Sequence, residues 1–291
     1  MSYSLEILRK EKPGQVPKGD IVFVHGICHD ARCWKNFMEF FSEQGYRCSA
    51  LSLRGHGGSG GQERLQSFTL SDYVEDVEQV VAQCGTKPFL VGHSMGGAVV
   101  QQFIGKHEDL VRGAVLFAPA TAPKMNRWMT FASLRHRDMW KAACVSLGIK
   151  TPKIVQGAAF FTAVGENGKR LSRIIDPAPY MEMLQKESRK ITLCELYRDY
   201  TSNHEVSIPV FVIGSCADAY FPDKSLTATA DVYAGNEKTA LVILRRLCHD
   251  MMLDPDWTES AGPVLEFVEN PMEFVSCSKY HWPRANKSTL S

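Results

Sequence analysis

A serine hydroxyl attacks a carbonyl only when it is held at a fixed point and a base removes its proton. Two pentapeptides have the G-x-S-x-G spacing that can present one: Gly92-His93-Ser94-Met95-Gly96 and Gly57-Gly58-Ser59-Gly60-Gly61. Flanking sequence chooses between them. PFLVGHS reads as a buried strand and MGGAVVQQF as a helix, so Ser94 sits on a sharp strand-to-helix turn. Gly92, Gly96 and Gly97 let that turn close, and the positive end of the helix then faces developing negative charge. Ser59 lies among glycines with no helix directly after it, so nothing holds it in place. Ser94 is the expected nucleophile.

The base and its orienting acid should come from other strand ends. Of nine histidines, His249 lies two residues beyond the apolar run ALVILRRL, on the loop at its carboxyl end. Asp218 follows PVFVIGS by three residues. The order Ser94, Asp218, His249 suits an acid-base-nucleophile set built on an α/β sheet. Asp223, Asp250 and Asp254 are competing carboxylates, and Asp250 reads as a helix cap. His25, His56 and His93 read as structural. Gly55-His56-Gly57-Gly58-Ser59-Gly60 also spells G-x-G-x-x-G, but Gln62, Glu63 and Arg64 intervene before the next helix, which argues against a dinucleotide. Cys28, His29 and Cys33 lack a fourth neighbour for zinc. Neither a cofactor nor a metal is expected.

The elements that would carry these residues alternate regularly. IVFVHG (Ile21 to Gly26) is a short apolar run suited to a strand buried on both faces. Ala31 to Gln44 places Trp34, Phe37, Met38 and Phe41 on one helical stripe, and YRCSALSL is the next strand. A helix from about Leu70, PFLVGHS, the helix after Ser94 and VRGAVLFAPA follow, and PVFVIGS and ALVILRRL resume the alternation before a last helix near Val264 to Glu269. This order predicts an α/β fold with a doubly wound, mostly parallel sheet formed by residues 1–119 and 209–291. Residues 120–208 lack clear strand runs and are rich in Met, Trp and Phe, with Met125, Trp128, Met129 and Ala132 at helical spacing. They predict a mostly helical cap over an apolar cleft. The tail after Asn270 has no periodicity.

Composition narrows the partners. The 291 residues carry 33 Lys+Arg against 32 Asp+Glu, a formal charge of +1, which gives no electrostatic case for nucleic acid or an anionic membrane. No run approaches the roughly 18 apolar residues of a membrane span. Charged residues from Glu6 to Lys12 occupy the place of a signal peptide's apolar run, and nine cysteines spread through the elements suit free thiols. Both point to the cytoplasm.

Taken together, His25-Gly26-Ile27, Arg54-Gly55-His56-Gly57-Gly58-Ser59, Gly92-His93-Ser94-Met95-Gly96-Gly97, Asp218 and His249 resemble the α/β-hydrolase superfamily, in its serine esterase and lipase-like branch. HGICHDARCW is similar to plant methylesterases and their hydroxynitrile lyase relatives, whereas GHSMGG resembles monoacylglycerol lipases and lysophospholipases. The resemblance implies an oxyanion hole from the N–H groups of Ile27 and Met95. It implies a serine hydrolase cleaving a carboxylic ester of a hydrophobic small molecule or lipid through an acyl-enzyme on Ser94. A lyase, an acyltransferase, a thioester or C–C hydrolase and a ligand-binding receptor are the alternatives on the same scaffold.

Overall fold

The computed structural model describes residues 3–120, 136–193, 195–197, 205–221 and 223–277. Strands β1 (Ile7–Lys10), β2 (Asp20–Val24), β3 (Arg47–Leu51), β4 (Phe89–His93) and β5 (Gly113–Phe117) occupy the first part of the chain. Between them run helices α1 (Lys35–Glu43), α2 (Leu70–Val81) and α3 (Met95–His107). The stretch after β5 holds α4 (Arg137–Ser146), α5 (Pro152–Gln156), β6 (Thr162–Val164), β7 (Arg170–Ser172), α6 (Ala178–Met183) and α7 (Arg189–Leu193). The last part returns to β8 (Val210–Ser215), α8 (Asp223–Val232), β9 (Thr239–Leu244), α9 (Thr258–Glu269) and α10 (Pro271–Ser276).

Seven strands form one sheet in the order β1-β3-β2-β4-β5-β8-β9, parallel throughout except for β1 against β3. The central strands are buried along their whole length because helices cover both faces. Side chains of α2, α3 and α8 pack one face; those of α1, α9 and α10 pack the other. Strand order reverses between β2 and β4, since β3 lies on one side of β2 and the chain then continues on the other. Ligands of open α/β sheets bind at such a reversal, beyond the carboxyl ends of the strands. Here those ends carry Gly26-Ile27 and Ser94.

Several expectations need correction. Strand β1 is antiparallel, four residues long and half-exposed at the sheet edge, so no apolar run marks it. Residues 31–44 are a short 3-10 turn (Ala31–Trp34) followed by α1 rather than one helix. Another 3-10 turn, Gln62–Ser67, stands between the glycine loop and α2. The stretch between β5 and β8 contains a two-stranded hairpin, β6 with β7. Its strands have only three residues each, too few for an alternating pattern to register. The segment after Asn270 forms α10, whose first turn is capped by the Asn270 side chain. Met125, Trp128, Met129 and Ala132 lie outside the described residues. Among the described residues, no helix is long and apolar enough to cross a membrane.

Candidate active site

Ser94 occupies the bend between β4 and α3 at φ 52° and ψ −116°, a conformation that L-residues rarely adopt. The surrounding glycines explain how so sharp a bend packs. A Cβ on Gly92 would sit 2.4 Å from the Gly96 carbonyl oxygen, and one on Gly96 would sit 2.4 Å from that of Val24. Both obstructions are backbone, so no side-chain motion relieves them. The turn is tied down by the Ser94 N–H donating to Phe117 O at 3.1 Å and by the Ala120 N–H donating to Ser94 O at 2.9 Å.

The loop after β2 lies against this bend. Val24 pairs with Gly92, so two residues further Gly26 runs beside Ser94. A Cβ on Gly26 would lie 2.9 Å from the Ser94 Cβ, an approach only glycine permits. Ile27 follows on a tight turn whose Cys28 has φ 64°. Met95 opens α3, where the first N–H groups have no intrahelical acceptor.

Asp218 and His249 meet at the ends of neighbouring strands. β8 and β9 are in register through Ser215 and Leu244, and the loops beyond them bring His249 Nδ1 to 2.7 Å from Asp218 Oδ2. The other carboxylate oxygen accepts the N–H groups of Tyr220 and Phe221 at 2.6 and 3.1 Å, which fixes the carboxylate plane. The rings of Tyr220 and Phe221 flank the imidazole with centroids 4.8 and 5.2 Å away. Sequence reasoning passed over these two aromatics; their position directly after an acid at a strand end was the available signal. From the hairpin, the Val164 N–H donates to Ala217 O at 2.7 Å.

His249 is also joined to the serine bend. His93, immediately before Ser94, donates from Nε2 to the His249 carbonyl at 3.1 Å, and the two rings are 4.7 Å apart. Burial, and then the neighbouring His249, hold the His93 imidazole well below its ordinary pKa, so it is neutral. The structure thus gathers Ser94, Asp218, His249 and the Gly26–Ile27 loop at one end of the sheet.

The remaining candidates have other partners. Ser59 donates to Ser52 O at 2.5 Å and accepts the Glu6 N–H, closing the glycine loop onto the N-terminal segment. His25 accepts the Leu53 N–H on Nε2 at 3.0 Å; burial, then the adjacent His56, press its pKa down to about 3. Asp250 does not cap a helix: its buried carboxylate lies 2.9 Å from His29 Nε2. Asp254 pairs with Arg173 and accepts the Cys248 N–H, and Asp223 begins α8. Among the described residues, one metal-capable group is close enough to mention, with donor atoms of His93, His249 and Asp250 within 4.8 Å of one another. Of these, His249 Nδ1 is held by Asp218 and His93 Nε2 by the His249 carbonyl, while Asp250 faces His29. Burial raises the Cys28 and Cys33 thiols well above their ordinary pKa.

A family model described as "Serine aminopeptidase, S33" matches residues 15–256, most of the chain and every element of this site. The chain belongs to this family of α/β hydrolases. It is 32% identical over 111 residues to a pyrethroid hydrolase of Sphingobium wenxiniae, a match covering 36% of this chain and 39% of that protein. It is 34% identical over 113 residues to a monoacylglycerol lipase of Mycolicibacterium smegmatis, covering 37% and 40%. The matched part is therefore well under two thirds of either relative. An esterase from Exiguobacterium antarcticum superposes with a TM-score of 0.67 at 15% identity, covering 92% of this chain and 96% of that one, a likeness of fold.

Proposed function

We propose that this chain is a cytoplasmic serine hydrolase that cleaves a carboxylic ester of a hydrophobic small molecule or lipid through an acyl-enzyme on Ser94. The observation that carries the reading is the buried His249–Asp218 contact at 2.7 Å beside the strained serine bend. His249 takes the proton as Ser94 Oγ adds to the carbonyl carbon. The N–H groups of Ile27 and Met95 receive the oxyanion, with the positive end of α3 behind it. Collapse of the tetrahedral intermediate expels the alcohol, protonated by His249. Water, deprotonated by the same imidazole, then releases the acid and regenerates Ser94. Asp218 keeps the proton-bearing Nδ1 turned away from the substrate and stabilises the imidazolium.

The substrate class rests on the apolar packing beside the base. Phe160, Phe161, Tyr180, Met181 and Leu184 from the stretch between β5 and β8 join Ile27 and Tyr220 in one apolar cluster next to His249. We read residues 120–208 as a cap over the cleft. Two matched relatives are named for ester substrates, a pyrethroid and a monoacylglycerol. Eight free cysteines among the described residues favour a reducing compartment, and the near-neutral charge speaks against nucleic acid as partner.

A fluorophosphonate probe tests the reading. Labelling should be stoichiometric, map to Ser94 and vanish in Ser94→Ala, together with hydrolysis of p-nitrophenyl esters. Adduct on another residue rejects the assignment. Esters and monoacylglycerols of increasing chain length, set beside aminoacyl p-nitroanilides, separate ester from peptide chemistry. Incorporation of ¹⁸O from water into the acid separates hydrolysis from a lyase or acyltransferase.

A further inference from the structure

The peptide unit joining Ile27 to Cys28 is held at one end by a near neighbour, His29, and at the other by a side chain far along the chain, Glu187. Its carbonyl oxygen lies 2.7 Å from His29 Nδ1, and its N–H donates to Glu187 Oε2 at 3.0 Å. A carbonyl can only accept, so His29 Nδ1 carries a proton. The other nitrogen of the same ring meets the Asp250 carboxylate at 2.9 Å, and Asp250 adjoins His249. Glu187 is equally constrained: Oε2 also meets His56 Nε2 at 3.2 Å, while Oε1 accepts the Ser188 N–H at 2.8 Å. All four side chains are buried. A hydrogen bond from the Gln185 N–H to Cys28 O at 2.7 Å secures the following peptide.

Tying down this peptide plane restrains Ile27 from its carboxyl side, while the preceding plane, which carries the Ile27 N–H, has its Gly26 carbonyl 2.8 Å from His25 Nδ1; the aim of that N–H is set from both sides. We propose that Glu187 and His29 are positioning residues that hold the Ile27 amide in line with the oxyanion formed on Ser94. This rests on the acyl-enzyme reading above. It adds that Glu187, on the stretch between β5 and β8, assembles half of the oxyanion hole. Neither residue touches substrate. Burying a carboxylate among His56, Ser188 and Cys28 costs desolvation, and tying the Ile27–Cys28 plane gives that cost a catalytic return.

The test compares Glu187→Gln, His29→Asn and His29→Ala with the wild type, using p-nitrophenyl butyrate and a trifluoromethyl ketone that forms a hemiketal oxyanion. In Asn the side-chain nitrogen falls near the place of His Nδ1, so His29→Asn keeps a donor for the Ile27 carbonyl and His29→Ala does not. Losing an oxyanion donor outright costs about 10²–10³ in kcat, and a misaimed one should cost about 10–100-fold. We expect Glu187→Gln to lose kcat in that range, to keep KM within about threefold, and to bind the ketone more weakly by the same factor. His29→Asn should fall between the wild type and His29→Ala. Asp138→Asn, which breaks the partly buried ion pair with Arg170 elsewhere in the same stretch, should leave kcat unchanged. Unaltered kcat in Glu187→Gln and His29→Ala overturns the proposal, as does an equal loss in Asp138→Asn. If Glu187→Gln does not fold, the two His29 variants decide between the same outcomes. An unlabelled, inactive wild type overturns the acyl-enzyme reading and the clamp with it; a labelled, active wild type with unaffected variants overturns the clamp alone.

Discussion

Five histidines lie at the strand ends and loops around Ser94, and their ring nitrogens sort their roles more sharply than their positions in the chain do. His25 accepts a backbone N–H and is neutral; His93 donates to a carbonyl and is neutral. The nitrogens of His29 and of His56 lie near acceptors, and Asp250 and Glu187 raise the pKa of the two rings against the pull of burial. His249 alone places Nδ1 on a carboxylate that is itself clamped by two backbone N–H groups. Asp218→Asn should therefore preserve the fold but favour the wrong imidazole tautomer. We expect a kcat loss on the order of 10⁴ at neutral pH with an unchanged thermal midpoint; a loss below about tenfold would remove Asp218 from the proposed mechanism. That Ser94, Asp218 and His249 meet at one end of the sheet was legible because each stands at or a few residues beyond the end of an apolar strand. Glu187 was not. Its partners Cys28 and His56 lie 159 and 131 residues away, and no local pattern marks a glutamate destined for burial. Asp250 misled for the opposite reason, since its sequence neighbours offered a helix to cap.

Elements buried on both faces were legible and those at the margins were not. Of the six parallel strands, β2, β4, β5 and β8 come from apolar runs buried along their length, β9 from an apolar run at the sheet edge, and β3 from the mixed run YRCSALSL. By contrast β1, the β6–β7 hairpin and α10 are three to six residues long, and chain-distant packing decides their state. Helix α2 has a local start signal: Thr69 and Asp72 form a reciprocal capping box. Asp72 also meets Arg54, as do Glu75 and the buried Asp76, so the cap and the loop that carries His56 share a partner. Thr69→Ala should cost about 1 kcal/mol of unfolding free energy, read from the shift in urea midpoint at constant slope. Because Asp76 still holds Arg54, esterase activity should change by less than about twofold. A larger loss of activity would mean that α2 helps aim His56 rather than merely supporting it.

At the scale of the molecule, the contact between His56 and Glu187 joins the stretch between β5 and β8 to the sheet, and its ionisation gives that junction a pH dependence. Glu187 lies below its ordinary pKa of 4.5: burial opposes the charge, but His56 and the Ser188 and Cys28 N–H groups outweigh it. His56 lies above its ordinary 6.5, where burial again opposes the charge and Glu187 prevails. His25, Asp30 and Tyr73 also face the His56 ring; His25 is neutral, and Asp30 favours the imidazolium. A lowered carboxylate contributes stability above about pH 4.5 and loses it as pH falls through its folded-state value. A raised histidine contributes stability below about pH 6.5 and loses it as pH rises through its folded-state value. The two contributions overlap between about pH 4.5 and 6.5. Removing one partner of a buried pair costs about 3–5 kcal/mol, so Glu187→Gln should melt several degrees below the wild type within that window. The gap should narrow as pH rises above it, because the wild type then loses the imidazolium that the variant never stabilised. Melting curves of both proteins at half-unit steps from pH 4.5 to 9 check this. A gap that stays constant, or widens toward alkaline pH, would mean that Glu187 holds the junction only by accepting the Cys28 and Ser188 N–H groups and that His56 is neutral beside it.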